Sequence, residues 1–272
     1  MKNELFRLLR EYNLKPSHFL DQHFLIDESI INEQVEFANL SKKDLVLEIG
    51  PGLGFLTKKL CEKAGKVIAI ESDERLIPLL KNEISSNNFE LIKGDVLSVE
   101  IPRFTKCVSN LPYSISSQLT FLLLDKNFDL SVLMYQREFA ERMMSIHGSR
   151  NYSRLSVSVQ VKADVEYLRT VPPWSFFPRP KIHSALVRII PSKKFDIKNK
   201  AFFDDFLRAI FQHKKKTLKN ALIDSYHELK ISKNEVKDFL SDIDIELQKK
   251  RPFQLTPREI VNLSNTLAER IS

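Results

Sequence analysis

Asn110 ends an apolar run, 104–108, that reads as a buried strand closed by Ser109, and Leu111, Pro112 and Tyr113 follow it. Its side-chain oxygen can accept a hydrogen bond from an N–H. The next backbone carbonyls can accept as well, because Pro112 restricts its own φ and the residue before it. Tyr113 supplies a flat face. Acceptors beside a ring suit an exocyclic amino group on a flat base. A strand-ending turn with a buried tyrosine would account for Pro112 and Tyr113, but it gives no reason for asparagine at the tip.

A second group of residues could hold a ligand beside it. "LEIGPGLG", 47–54, ends one strand and opens a helix, with glycines at 50, 52 and 54. Glycine there lets the backbone turn tightly and approach a ligand closely. A tight turn alone would use the same residues. The spacing is G-x-G-x-G and not the dinucleotide G-x-G-x-x-G, and Pro51 removes an amide that a pyrophosphate could use. An uncharged or cationic ligand therefore fits better than NAD. Glu71 ends the next strand, 21 positions after Gly50, where an acid can accept both ribose hydroxyls. Asp95, in "KGDVL", can accept from an adenine amino group while Val96 lies against the ring. Each acid alone could simply cap a loop. Together, Gly50, Glu71 and Asp95 at three successive strand ends point to adenosine.

The elements that must carry these residues alternate. "LVLEIG", "KVIAIE", "FELIKGD", "FTKCVSN" and "LSVLMYQ" read as strands, and "FLTKKLCEKA" and "DERLIPLLKNEI" as helices. That alternation predicts a mostly parallel sheet covered on both faces. "RLSVSVQVKADVEYLRTV" and "IHSALVRIIP" read as β-type runs added antiparallel to one edge. Beyond a linker at "PSKKFD" the chain reads helical throughout, the last helix opening with Thr256 as N-cap, Pro257 and Glu259. The expectation is an α/β domain, 1–190, followed by a small all-helical domain, 191–272.

Composition narrows the class. The chain has 272 residues, 43 % hydrophobic and 28 % charged, as a folded protein with a core requires. No run approaches the ~18 apolar residues of a membrane span, and the charged N-terminus lacks the apolar core of a secretory signal. Cys61 and Cys107 are the only cysteines, which argues against a disulfide framework and zinc and fits a reducing cytoplasm. The six histidines lack ligand-like spacing and read as surface or polar residues, His23 excepted; no metal is expected. The net charge of +7 is uneven: residues 191–272 hold 17 Lys and Arg against 12 Asp and Glu. A basic helical tail suggests a polyanionic partner.

"QHFLID" (22–27), "LEIGPGLG" (47–54), "NLPYSISS" (110–117), "YSRLSV" (152–157), "VPPWSFFPRPKIHSALV" (171–187) and "KKKTLKNAL" (214–222) resemble, in order and spacing, the small-subunit rRNA adenine N6,N6-dimethyltransferases of the KsgA type. The similarity runs from about Phe19 to the last helix. It implies a Rossmann-like S-adenosylmethionine-dependent methyltransferase sheet, with the donor held at His23, Leu25, Gly50, Glu71, Asp95 and Asn110. It implies catalysis at Asn110, Leu111, Pro112 and Tyr113, with Phe176 stacking on the target adenine opposite Tyr113. The implied substrate is a pair of adjacent adenosines in the hairpin near the 3′ end of small-subunit rRNA, each receiving two methyl groups within an assembling ribosomal subunit. The motif's usual glycine before Gln-x-Phe-Leu is replaced here by Asp21, in an N-terminal arm (1–25) with few basic residues.

For the rest of the RNA, "HKKKTLKN" (213–220) reads as the opening of a helix with four lysines, Lys214, Lys215, Lys216 and Lys219. "RNYSRLS" (150–156), with Arg154, is a second candidate. A cytoplasmic monomer with no membrane partner is expected. Three rivals stand: an NAD-dependent oxidoreductase, which would want G-x-G-x-x-G and has no use for NLPY; a non-catalytic ribosome-assembly factor that has kept the fold; and a relative acting on large-subunit rRNA.

Overall fold

The computed structural model describes residues 1–17 and 19–271, so the reading of His18 as a surface or polar histidine lies outside it. Among these residues the strands are β1 Phe24–Leu25, β2 Leu45–Ile49, β3 Lys66–Glu71, β4 Phe89–Lys93, β5 Lys106–Asn110, β6 Leu130–Gln136, β7 Ala163–Val171, β8 Phe176–Phe177 and β9 Ser184–Pro191. Seven of them form one sheet, ordered β4-β3-β2-β5-β6-β9-β7. From β4 to β6 all neighbours run parallel, and β9 lies antiparallel on β6. The central strands are apolar almost throughout, Val46, Leu47, Val67, Ala69 and Val108 being fully buried, because helices cover both of their faces. The expected α/β sheet with an antiparallel edge is present.

One predicted strand is a helix. Residues 154–160, the first part of "RLSVSVQVKADVEYLRTV", form the helix Arg154–Gln160, and only Ala163–Val171 is β7. The Ser/Val alternation looked like a half-buried strand. Leu155 to Val159 are all buried, so it does not mark a polar face. Ser156 satisfies its hydroxyl by donating to the Arg142 carbonyl at 2.6 Å, and it accepts from the Ser153 N–H at 3.1 Å.

The chain divides into two compact units, Met1–Ala140 with Val165–Pro191, and Glu141–Asp164 with the residues from Ser192 onward. Pro191 therefore closes the first unit, next to the expected boundary, but Glu141–Asp164, as far as the first residues of β7, groups with the helical tail. Its Tyr152, Val157 and Val161 share a core with Phe203, Phe206, Leu222 and Ile260 of the helical tail. A linear boundary could not show this excursion. The last helix, Pro257–Ile271, opens on the predicted capping box: Glu259 accepts from the Thr256 N–H at 2.7 Å, and Thr256 Oγ1 accepts from the Glu259 N–H at 3.2 Å.

What positions a site in the first unit is the order of the strands. From β2 the chain winds outward through β3 to β4, and then returns to wind the other way through β5 and β6. Ligands of open α/β sheets bind where the winding reverses, at the carboxyl ends of the strands. Here that place lies between β2 and β5. Their ladder runs through Val46↔Lys106 and Leu47↔Cys107. Further up, the Ser109 hydroxyl takes over, donating to the Ile49 carbonyl at 2.5 Å and accepting from the Ile49 N–H at 3.2 Å. A side chain thus stands where a backbone bond would be. Ser109→Ala should strand a buried N–H and carbonyl of Ile49 and destabilise the protein by about 1–3 kcal/mol. Urea unfolding measures it, and an unchanged midpoint would contradict this role.

Candidate active site

Gly50, Gly52 and Gly54 follow β2 with φ of 67°, 58° and 79°. Gly54 needs this most: it starts the helix Phe55–Lys63 from the left-handed region, and a Cβ there would stand 2.9 Å from Ile84 Cδ1. At Gly52 a Cβ would press on the Phe24 ring at 3.1 Å. Across the loop, Glu71 at the end of β3 is buried. Its Oε2 accepts from the Gly52 N–H at 3.2 Å and its Oε1 from the Asp73 N–H at 2.8 Å. Burial raises its pKa. Asp95 is exposed beyond β4, and its Oδ1 accepts from the Leu97 N–H at 3.0 Å. The loop-capping reading of both acids is thus real, yet each carboxylate has lone pairs to spare.

Opposite this wall, β5 delivers Asn110 beside Leu111, Pro112 and Tyr113. Asn110 Oδ1 is buried and accepts no hydrogen bond. Tyr113 opens a short 3₁₀ turn, and its hydroxyl bonds Ser184 Oγ at 2.5 Å. The Pro112 carbonyl is taken by the Ile115 N–H at 3.4 Å and the Ser116 hydroxyl at 3.3 Å. The third side is a ribbon of β1 and β8, antiparallel, that pairs Leu25 with Phe176 and Phe24 with Phe177. Just before it, His23 donates from Nδ1 to the Pro178 carbonyl at 2.7 Å, and its ring lies nearly parallel to that of Tyr113, 6.2 Å away. His23, Leu25, Gly50, Glu71, Asp95, Asn110, Leu111, Pro112, Tyr113 and Phe176 all line one cavity of about 340 Å³.

Some lining residues were not singled out by the sequence reading. Glu48, on β2, is buried, lines the same cavity, and leaves Oε2 without a partner. It stood inside the quoted "LEIGPGLG", but its position within an apolar strand hid its role. Gln34 is fully buried and donates to the Ser109 and Val132 carbonyls at 3.3 Å each, tying its helix, Glu28–Phe37, to β5 and β6. Its only signal was a glutamine on an apolar helix face.

The basic residues lie in the second unit. Lys214, Lys215 and Lys216 do not open a helix as expected; they precede Thr217, which caps the helix Leu218–Asp224, and only Lys219 lies within it. Lys214 donates to the Arg150 and Tyr152 carbonyls at 3.3 and 3.4 Å, so the two predicted patches adjoin. Lys216 pairs with Asp224 at 2.6 Å. Lys215, Lys219, Arg150 and Arg154 are exposed.

The sequence profile of the ribosomal RNA adenine dimethylases matches residues 13–256. This chain belongs to that family. A protein of Thermococcus gammatolerans named "Probable ribosomal RNA small subunit methyltransferase A" is 49 % identical over 263 residues, 97 % of this chain and 93 % of the relative. The solved dimethyladenosine transferase of Plasmodium falciparum superposes with a TM-score of 0.81 at 32 % identity, over 91 % of this chain and 98 % of its own. The 23S rRNA methyltransferase ErmE superposes less closely, at 0.65 and 25 % identity, over 90 % and 99 %. In this dimethylase, Asp21 takes a left-handed backbone, with φ of 53°, of the kind glycine favours, and its Oδ2 accepts from the Ser114 N–H at 3.1 Å. The arm is thereby fastened to the NLPY loop.

The two buried acids, Glu48 and Glu71, dominate the electrostatics of this cavity. Burial, with the nearby Glu71 charge adding to it, pushes Glu48 from 4.5 up to about 8. The unfolded chain releases that proton near pH 4.5 while the ligand-free folded chain keeps it to about 8, so this group makes stability fall as pH rises between those values. Glu48→Gln should remove the penalty. In urea unfolding without ligand the variant should gain on the wild type from pH 5 to pH 9 and lose its advantage near pH 4.5. A difference independent of pH would contradict the assignment.

Proposed function

We propose that this dimethylase transfers methyl groups from S-adenosylmethionine to N6 of two adjacent adenosines in the 3′-terminal hairpin of small-subunit rRNA, dimethylating each in an assembling subunit. The observation that carries the reading is the buried, unpartnered Oδ1 of Asn110, set in a cavity between Tyr113 and Phe176 on one side and Gly50 and Glu71 on the other. An unpaired acceptor in a low-dielectric site is costly unless a ligand supplies the hydrogen. An adenine amino group supplies one.

The donor fits the residues present. Glu71 would accept from the ribose hydroxyls and Asp95 from the adenine amino group, the Gly50 turn would leave room for close approach, and His23 and Leu25 line the same cavity. The buried Glu48 carboxyl, its Oε2 without a partner, favours a cation over an anion in this pocket, because a cation would stabilise the ionised form that burial disfavours. When bound, S-adenosylmethionine supplies an electrophilic methyl on a sulfonium centre.

The chain's own part is positioning and electrostatic stabilisation. The adenine N6 lone pair is conjugated into the ring and attacks poorly. Asn110 Oδ1 and the Leu111 carbonyl accept from its two hydrogens and turn the lone pair toward the methyl group; the Pro112 carbonyl is already committed to the turn. As the new N–C bond replaces the donor's S–CH₃ bond, which would leave a neutral thioether, positive charge grows on N6, and the acceptors holding its hydrogens, two in the first transfer and one in the second, stabilise it. The new ammonium is acidic and gives its proton to solvent, so no strong base is required. Tyr113 and Phe176 replace the stacking that the base loses on leaving its RNA neighbours. Its hydroxyl held by Ser184 and its pKa pushed up to about 12 by burial, Tyr113 remains a neutral ring.

The adjoining Lys214, Lys215, Lys216, Lys219 and Arg154 of the helical unit meet RNA phosphates, and the protein acts as a cytoplasmic monomer. Among the described residues no helix is long and apolar enough to cross a membrane, and no group of His, Cys, Asp and Glu is arranged to hold a metal ion.

Single-turnover methyl transfer at saturating donor tests the mechanism. Asn110→Ala should slow the chemical step on the order of 10²–10³-fold, while Tyr113→Ala and Phe176→Ala should chiefly raise the RNA concentration required. An Asn110→Ala enzyme that dimethylates at the wild-type rate would return the motif to a strand-ending turn.

A further inference from the structure

Trp174 is the only tryptophan in the chain, and it is 63 % exposed. Its indole offers a large flat face and a polar N–H to whatever meets this surface. It sits in the 3₁₀ turn Pro173–Ser175, two residues ahead of the buried Phe176, and the turn is fastened beneath it: the Ser175 carbonyl accepts from the Ile26 N–H at 2.8 Å, and the Ser175 hydroxyl donates to Asp27 at 3.1 Å. The ring meets that of His183 edge to face, centroids 6.5 Å apart. His183 in turn precedes Ser184, the partner of the Tyr113 hydroxyl. The indole is therefore mounted on the two segments that carry or brace the aromatic walls of the base cavity. Arg179 and Lys181, on the loop between those segments, are exposed, and so is Ile182.

We infer that Trp174, with Arg179 and Lys181, is a second nucleotide site, on which a base flanking the methylated adenosine stacks. This rests on the RNA substrate proposed above. An exposed aromatic face with cationic residues on the loop that follows it suits single-stranded nucleic acid, through ring stacking and phosphate attraction. The order along the chain supports it: the inward ring of Phe176 and the outward ring of Trp174 are separated by one residue, so a strand that delivers one base inward leaves its neighbour over the indole. Adjacent target adenosines would then be handled in turn, one in the cavity and one on Trp174.

The lone tryptophan makes the test direct. An RNA hairpin with two adjacent loop adenosines, titrated into the wild-type protein with donor present, should change the tryptophan emission saturably, at the RNA concentration that supports methylation. Trp174→Ala should weaken RNA binding roughly 5- to 150-fold, the range for loss of one base–aromatic stack, with donor affinity unchanged. Trp174→Phe should recover most of it. Methylation of this RNA with wild-type emission unchanged, or with equal RNA affinity for Trp174→Ala, would overturn the second site while leaving the proposed function intact. Failure of the wild-type enzyme to bind or methylate any such RNA would overturn both.

Discussion

Two parallel strands that part at their carboxyl ends leave backbone groups facing each other without partners, and buried backbone groups must be paired. Between β2 and β5 the Ser109 hydroxyl resolves this by bonding both the N–H and the carbonyl of Ile49. Gln34 takes the Ser109 carbonyl from the other side. The glycine turn after β2 and the NLPY turn after β5 can then diverge. Everything in the candidate site hangs on that opening: Gly50, Glu71 and Asp95 stand on one lip and Asn110 and Tyr113 on the other. The β1–β8 ribbon, which brings Leu25 against Phe176, closes the third side.

The cost of the arrangement sits where function would use it. Asn110 Oδ1 and Glu48 Oε2, both buried without partners, line the same cavity. A fold selected only for stability would replace or satisfy them, since each unpaired buried polar atom costs on the order of 1–3 kcal/mol. An amino group recovers the first cost, and a cation relieves the second by stabilising the ionised form. Neutral acceptors and aromatic faces suffice for a reaction whose nucleophile needs orientation more than deprotonation.

Much of this was legible in the sequence, because it is written in local patterns. Strand ends at Gly50, Glu71, Asp95 and Asn110 follow from alternating apolar runs, and glycine and proline mark the turns after them. The missed features depend on tertiary contacts. Arg154–Gln160 alternates like a strand, yet it is a helix whose Leu155 to Val159 are all buried, so its pattern carries no information about a polar side. Glu141–Asp164 joins the helical unit through Tyr152 and Val157, a grouping that no composition shift marks. The lysines of 214–216 were placed in a helix that starts only at Leu218, because Thr217 is the better cap. Asp21 looked like a departure from a glycine motif. It takes a left-handed backbone conformation that glycine favours and spends its carboxylate on Ser114.

The central claim is that this site dimethylates adenosine in small-subunit rRNA. Immature small subunits lacking the modification, incubated with the protein and labelled S-adenosylmethionine and then mapped nucleotide by nucleotide, test it most directly. The account predicts four methyl groups per subunit, two on N6 of each of two adjacent adenosines in the 3′-terminal hairpin. Methylation confined to large-subunit rRNA, or specific binding of the subunit with no methyl transfer, would contradict it.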